Sequence, residues 1–152
     1  MSTFFDLIEQ LAGLTAPSVL ALQGLLHVTL VQVPNSNTYY TFYEGDSELE
    51  SVGKIDLRVP CSQEAKSGAF LVIDFRDTSI TLEDFENRFG FAEISDLSHH
   101  HPSFIGYSAT VSGRRVGMNV DSAVRILKSI SIDYTNPPNK TLQQTPATDR
   151  RR

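Results

Sequence analysis

The residues best suited to chemistry or binding form one short run in which aromatic side chains are followed directly by acidic ones. Strand alternation would send Tyr39 and Tyr43 to one face and Tyr40 and Phe42 to the other, so one pair is expected to face the core. The other pair is then either an aromatic anchor beside a negatively charged rim, which suits a basic protein partner, or half of a structural cross-strand ladder. The candidate partner-binding residues are Tyr39, Tyr40, Phe42, Tyr43, Glu44, Asp46, Glu48 and Glu50.

Three consecutive histidines, His99, His100 and His101, are candidate metal ligands because neutral imidazole is a common ligand of zinc, copper and nickel. Adjacent residues cannot easily all face one ion, and Asp96 or Glu93 would have to complete the site. The sequence contains no second, spaced cluster of ligand-type residues. We therefore interpret this segment as a solvated polar loop and predict neither a metal site nor any other cofactor.

A catalytic interpretation depends on Asp74, Arg76 and Asp77, which follow a strand that we expect to be buried. Two carboxylates at such a position could act as acid and base, but strand ends also carry these residues simply to hold a turn. The sequence shows no nucleophile motif and no glycine-rich phosphate loop. Cys61, the only cysteine, follows a proline, and no adjacent residue marks it as reactive. We predict no catalytic residues, and a hydrolase or metal enzyme is the less favoured alternative.

The charge of the chain restricts its partners. The formal net charge is −5, and because residues 136–152 carry +3, residues 1–135 carry −8. An acidic body repels phosphate backbones, and the interleaved basic and aromatic residues of nucleic-acid binders are missing. We therefore expect a basic protein partner and no nucleic acid.

Cysteine usage and the N-terminal sequence predict a cytoplasmic protein. A single cysteine excludes an internal disulfide, which favours a reducing compartment, and acidic residues stand where a secretory signal would place positive charge. The uncharged residues 11–33 are numerous enough to span a bilayer. However, polar residues and Pro17 interrupt this stretch, and its apolar period changes inside it. We therefore predict a helix followed by a strand there, and no membrane contact.

The apolar periodicity of the chain predicts an α+β fold in which two N-terminal helices and one mid-chain helix pack on a mostly antiparallel sheet of six or seven strands. The helices are expected from Thr3 to residue 12 or 13, from 15–17 to about 27 with Pro17 in the first turn, and from a cap at Thr78 or Thr81 to Gly90. Strands are expected at 28–33, 38–43, 54–59, 69–75, 104–111, 115–120 and within 126–134, with 69–75 in the middle of the sheet.

The length of 152 residues is that of one ordinary domain. After residue 135 the composition changes to proline, asparagine, glutamine and threonine, and the sequence ends in an arginine run. Such a composition cannot form a packed core. We predict a single globular domain over 1–135 and a disordered C-terminal tail over 136–152.

Two helices end just before predicted strands, the first in Leu25-Leu26-His27 and the second in Phe89-Gly90, which suggests an internal duplication. The eleven residues 80–90 resemble the helix and Phe-Gly signature of the beta-lactamase-inhibitor-like domains, although the first unit lacks the glycine. The resemblance implies a binding protein without catalysis, which holds a protein partner on a sheet face or by its loops.

A second resemblance rests on Ile55-Asp56-Leu57-Arg58 and on residues 127–133, which are similar to strands of small bacterial proteins of unknown function. Some such proteins are immunity proteins that occlude a toxin, an analogy that assigns no site residues. We therefore predict a non-enzymatic protein-binding module, an immunity or inhibitor protein that occludes a basic partner. The alternative is a small-molecule-binding or structural accessory protein whose sheet encloses an apolar pocket.

Deletion of residues 136–152 tests the predicted domain boundary. We expect the truncated chain to lose less than about 1 kcal/mol of unfolding free energy, because a tail of this composition contributes no buried apolar surface. Thermal and denaturant unfolding of the two chains would measure the difference. A larger loss would mean that the tail packs on the domain.

Overall fold

Eight antiparallel strands form one sheet in the part of the chain that the structure describes. This computed structural model describes residues 3–15, 17–34, 37–62, 68–76, 79–97 and 104–135. The strands are β1 (Val31–Gln32), β2 (Tyr40–Asp46), β3 (Val52–Pro60), β4 (Phe70–Phe75), β5 (Glu93–Leu97), β6 (Phe104–Val111), β7 (Arg114–Asp121) and β8 (Leu127–Asp133). Their order across the sheet is β1-β2-β3-β4-β8-β7-β6-β5. The α+β class and the central position of β4 are confirmed.

Three helices in the described residues, α1 (Thr3–Gly13), α2 (Val19–Leu26) and α3 (Leu82–Phe89), match the predicted number. The predicted start of α2 was wrong, because Ser18 is its N-cap and accepts a hydrogen bond from the N–H of Ala21 at 3.1 Å. Of the two caps predicted for α3, Thr81 forms it, in a capping box with Asp84. None of these described helices is both long and apolar enough to cross a bilayer.

The predicted strand number of six or seven was wrong, because β5 lies in a segment whose sequence predicts a polar loop. Only two of the five residues of β5 are apolar, and its pairing register shifts after Ile94. The sequence of β5 therefore lacks the alternation that would predict a strand. The strand predicted at 28–33 is also shorter than expected. Residues 28–30 instead cross β2, where a Cβ on Gly45 would lie 2.4 Å from the carbonyl oxygen of Thr29. Only glycine allows this approach.

The element order is the same in the two halves of the sheet. In the first half α2 precedes the meander β1 to β4, and in the second half α3 precedes the meander β5 to β8. The halves meet where β4 pairs with β8. The repeat of topology agrees with the element order that suggested an internal duplication, and a duplication of sequence stays a prediction.

One face of the sheet carries the apolar side chains that pack beneath the helices. Along one row of paired residues, Leu57 of β3, Leu71 of β4, Ile132 of β8 and Val116 of β7 are all buried. They join the core formed with helix residues such as Phe85. Because side chains alternate between faces, the neighbours of these residues point to the opposite side. We call that opposite side the open face, since none of the described helices covers it.

Two buried hydroxyl groups, each on the residue that directly follows a strand, join the helices to the sheet. The Ser47 hydroxyl donates to the carbonyl oxygen of Leu26 at the end of α2, and it accepts from the N–H of Leu49 at 3.0 Å. The Tyr134 hydroxyl donates to the carbonyl oxygen of Leu11 in α1 at 2.6 Å. The guanidinium of Arg114 lies 4.6 Å from the centre of the same tyrosine ring.

Ser47 is 3% exposed, so its replacement measures the stability that is lost when a buried hydroxyl and its hydrogen bonds are removed. Ser47→Ala leaves the Leu26 carbonyl and the Leu49 N–H without this partner, and we expect a loss of about 1 to 3 kcal/mol in unfolding free energy. Denaturant unfolding measures the loss. Ser79→Ala, at an exposed position, is the control and should change stability by less than about 0.5 kcal/mol. Equal effects of the two substitutions would contradict this account.

Candidate functional site

The open face of β2, β3 and β4 carries aromatic and charged side chains in ordered cross-strand rows. In one row Phe42 is paired with Arg58, and Arg58 with Phe70. In the next row Glu44 is paired with Asp56, and Asp56 with Val72. Directly opposite residues in a sheet have Cβ atoms about 4.5 to 5.5 Å apart. Each row is therefore a set of neighbouring side chains held on a rigid backbone.

Arg58 is surrounded by aromatic rings. Its guanidinium carbon lies 5.1 Å from the ring centre of Phe42, 5.7 Å from that of Tyr40 and 5.7 Å from that of Phe70. A cation at this distance from a ring face is attracted by the ring quadrupole. Because Arg58 is nevertheless exposed, these four residues form a surface with both apolar area and a positive charge. We call them the Arg58 cluster.

Three carboxylates lie beside the Arg58 cluster on the same face. Lys54 Nζ lies 3.7 Å from Glu44 Oε2 and 3.8 Å from Asp56 Oδ1. Desolvation raises the pKa of Asp56 above its ordinary value of 3.8, Lys54 lowers it, and the negative charges of Glu44 and Asp74 raise it further. We call Glu44, Asp56 and Asp74 the acidic group. One lysine incompletely neutralises it, which leaves room for a further cation.

A cleft of about 300 Å³ lies on β2, β3 and β4. Phe42, Arg58, Phe70 and Val72 supply its apolar and cationic lining, and carboxylates of the acidic group supply its negative lining. The cleft is large enough for side chains of a partner. Aromatic surface that loses water on contact gives affinity, and charges of both signs restrict what can be bound.

Four of the eight predicted partner-binding residues lie together on the open face. Alternation in β2 places Tyr40, Phe42, Glu44 and Asp46 there, since each is paired with an open-face residue of β3. Tyr43 is paired with the buried Leu57 and packs, half-buried, against the core. The expectation that one aromatic pair faces the core therefore holds for Tyr43.

The other predicted residues lie elsewhere. Tyr39 precedes β2 and is 44% exposed. Glu48 and Glu50 lie in the connection between β2 and β3 and are exposed. Glu50 lines a different cleft, of about 500 Å³, between α1 and this connection. The segment from Glu44 to Glu50 therefore does not form one continuous acidic rim.

Sequence reasoning did not select Arg58, Phe70 or Asp56 for the site. The alternation of Lys54, Asp56 and Arg58 was visible in the sequence and could have indicated a shared polar face. Which residues of β2 and β4 flank them depends on the register of strands that are separate in the sequence, and alternation alone does not determine that register.

Of the three residues considered for catalysis, the structure describes Asp74 and Arg76. Arg76 donates from Nη2 to the carbonyl oxygen of Ser47 at 2.6 Å, and its own N–H donates to the carbonyl oxygen of Ser51. It therefore holds the connection between β2 and β3. Asp74 lies exposed at the end of β4, and Asp77 is outside the described residues. Cys61 is exposed, with its sulfur 3.4 Å from the carbonyl oxygen of Thr38.

The candidate metal ligands lie largely outside the described residues. His99, His100 and His101 are among the residues that the structure does not describe, and so is the side chain of Asp96. Within the described ranges, no three side chains of histidine, cysteine, aspartate or glutamate lie close enough to hold a metal ion. That finding includes the acidic group.

Comparisons of this chain with protein-family models, with curated proteins and with solved structures found no match.

Replacement of Asp56 by asparagine tests the electrostatics of the site. Because its pKa is raised on folding, the folded chain holds this proton more tightly than the unfolded chain does. The contribution of Asp56 to the unfolding free energy therefore falls as the pH rises above 3.8, the ordinary carboxyl value. We expect Asp56→Asn to be more stable than the wild type at pH 7, and the difference to vanish toward pH 3.

Glu48→Gln is the matched control, since it removes one negative charge from an exposed position outside the open face. Both variants are measured by denaturant unfolding between pH 3 and pH 8. If Asp56→Asn were less stable than the wild type at pH 7, attraction to Lys54 would outweigh desolvation, and our account of the acidic group would be wrong.

Proposed function

We propose that this chain is a non-enzymatic protein-binding module whose partner docks on the open face of β2, β3 and β4. The observation that carries the proposal is the adjacency of the Arg58 cluster and the acidic group on one uncovered face. Tyrosine and arginine are enriched among residues whose truncation weakens protein complexes most. Strands held by their neighbours present such residues at little cost in conformational entropy, which favours tight binding.

The charge of the chain supports a partner with a basic surface. The net charge is −5, and a field of that sign accelerates encounter with a positively charged protein. The acidic group can form ion pairs with a lysine or arginine of the partner. Occlusion of a partner's functional surface, as by an immunity or inhibitor protein, is the specific role that we propose for such a complex in the cytoplasm.

The cleft between α1 and the β2–β3 connection supports a second candidate, binding of a small amphipathic molecule. Its volume of about 500 Å³ falls in the range of ligand sites, and Phe4, Leu7, Leu49 and Val52 give it an apolar lining. However, the carboxylate of Asp6 in this lining already accepts a hydrogen bond from Arg88 Nη2 at 2.8 Å. This hydrogen bond engages the Asp6 carboxylate within the chain, so it is less available to orient a ligand.

A pair of double neutralisations tests the docking surface. Glu44→Gln with Asp74→Asn removes two negative charges from the open face, and Glu48→Gln with Glu50→Gln removes two from the β2–β3 connection. Both variants change the net charge equally, so a difference between them reports the place of contact. With the partner captured from the source cell by the wild type, we expect the open-face variant alone to associate roughly tenfold more slowly at low salt.

Truncation of one ring should change dissociation instead of association. We expect Phe42→Ala to raise the dissociation rate by on the order of tenfold to a thousandfold, as for a contact worth roughly 2 to 4 kcal/mol. Phe91→Ala is the control, because Phe91 is 82% exposed and lies between α3 and β5. If all these variants keep their fold and bind the partner like the wild type, the interface lies outside the open face.

A further inference from the structure

Arg58 differs from the other exposed or half-buried arginines that the structure places in strands and helices. Arg88 binds Asp6 and Glu9 through Nη2, at 2.8 and 2.9 Å. Arg115 donates from Nη2 to the hydroxyl of Ser108 at 2.8 Å. For Arg58 the described residues provide only the three aromatic rings and no carboxylate or carbonyl acceptor. None of the described residues therefore occupies its N–H donors, which can bind an anion.

The rings also restrict how Arg58 can move. A free arginine side chain occupies many rotamers, and part of that freedom is lost on binding. Contacts with Tyr40, Phe42 and Phe70 remove part of that freedom before any ligand arrives. The guanidinium is planar and presents paired N–H donors that match the two oxygens of a carboxylate. A pre-positioned guanidinium is thus a receptor for one carboxylate.

The neighbouring acidic group restricts which class of anion Arg58 can bind. Asp56 is two residues from Arg58 on β3, a distance of about 7 Å along a strand, and Glu44 is paired with Asp56. A phosphate group carries a second negative charge, which these carboxylates repel. A carboxylate on an apolar group carries a single charge and can also cover the rings of Phe42 and Phe70.

We propose that Arg58 binds a carboxylate of the partner, held by two N–H donors of the guanidinium while its apolar stem contacts the surrounding rings. The inference rests on the proposed function and deepens it. The partner surface would be mixed: an aspartate, glutamate or C-terminal carboxylate opposite Arg58, and a basic side chain about 7 Å away opposite the acidic group. Net positive charge alone would not suffice for binding.

Titration of the full chain with benzoate tests the site without the partner. Benzoate combines one carboxylate with an apolar ring, and benzamide has the same shape without the charge. We expect benzoate to shift the NMR signals of the Arg58 Nε–Hε group and of the Val72 methyls, with saturation at millimolar concentration. Arg125 is an internal control, since it is exposed in the turn before β8 and has none of the aromatic contacts recorded for Arg58. Its Nε–Hε signal should require at least about tenfold more benzoate.

Arg58→Gln should abolish the saturable shift of Val72, and Arg58→Lys should weaken binding by roughly tenfold because an ammonium lacks the paired donors. Benzamide and inorganic phosphate should bind at least about tenfold more weakly than benzoate. The proposal is overturned if benzamide matches benzoate, if phosphate binds more tightly, or if Arg58 and Arg125 respond equally. If a variant does not fold, the wild-type comparison of the two arginines decides.

This titration separates failure of the inference from failure of the proposed function. Benzoate binding at Arg58 does not require a partner, whereas the double neutralisations measure only partner association. Selective benzoate binding together with unaffected partner binding would support the carboxylate site and contradict the docking surface. If benzoate did not bind selectively at Arg58 but the open-face variant slowed partner association, the docking surface would be supported and the carboxylate site contradicted.

Discussion

Burial of one row of apolar side chains determines which residues lie on the open face. Leu57, Leu71 and Ile132 pair across β3, β4 and β8 on the face beneath the helices. A slip of one residue in any of these strands would move its apolar side chains from the core to solvent. The same constraint therefore holds Arg58 between Phe42 and Phe70 on the other face. The stability of the core and the geometry of the open face depend on one register.

The arrangement of charges explains how a surface of this size could discriminate among partners. The Arg58 cluster is positive and apolar, and the acidic group two residues along is negative. A partner with a uniformly basic surface would approach readily but would leave Arg58 facing like charge. Specificity arises when unsuitable partners meet repulsion as well as when the right one meets attraction. In the proposed complex, the neighbouring charges of opposite sign would provide both effects within one contact area.

Much of this fold was predictable from the sequence, because long periodic segments carry their own signal. The alternation in 54–59, the capped helix that ends at Gly90 and the Ser112-Gly113 turn all appear as expected, with positive φ at both turn residues. β5 was not predictable because edge strands need little apolar alternation. The crossing at Gly45 depends on Thr29, sixteen positions earlier in the sequence, and local patterns do not record such an approach.

The candidate site was predictable only in part, for a related reason. Alternation correctly separates Tyr43 from Tyr40 and Phe42, since it is a property of one strand. The choice of Glu48 and Glu50 followed from closeness in sequence, whereas the structure turns the chain away from the open face after Asp46. Asp56, Arg58 and Phe70 become neighbours of β2 residues only through strand pairing. A composite surface of three strands requires that pairing to be known.

Site-specific photo-crosslinking in the source cell tests most directly whether the open face holds the partner. A photoreactive phenylalanine analogue would replace Phe70 on the open face, Leu20 on α2 or Val124 in the turn between β7 and β8; Leu20 and Val124 are 78% and 58% exposed. The account predicts one protein adduct from position 70 and none of that protein from positions 20 and 124. Adducts of the same protein from position 20 or 124, with none from position 70, would contradict it.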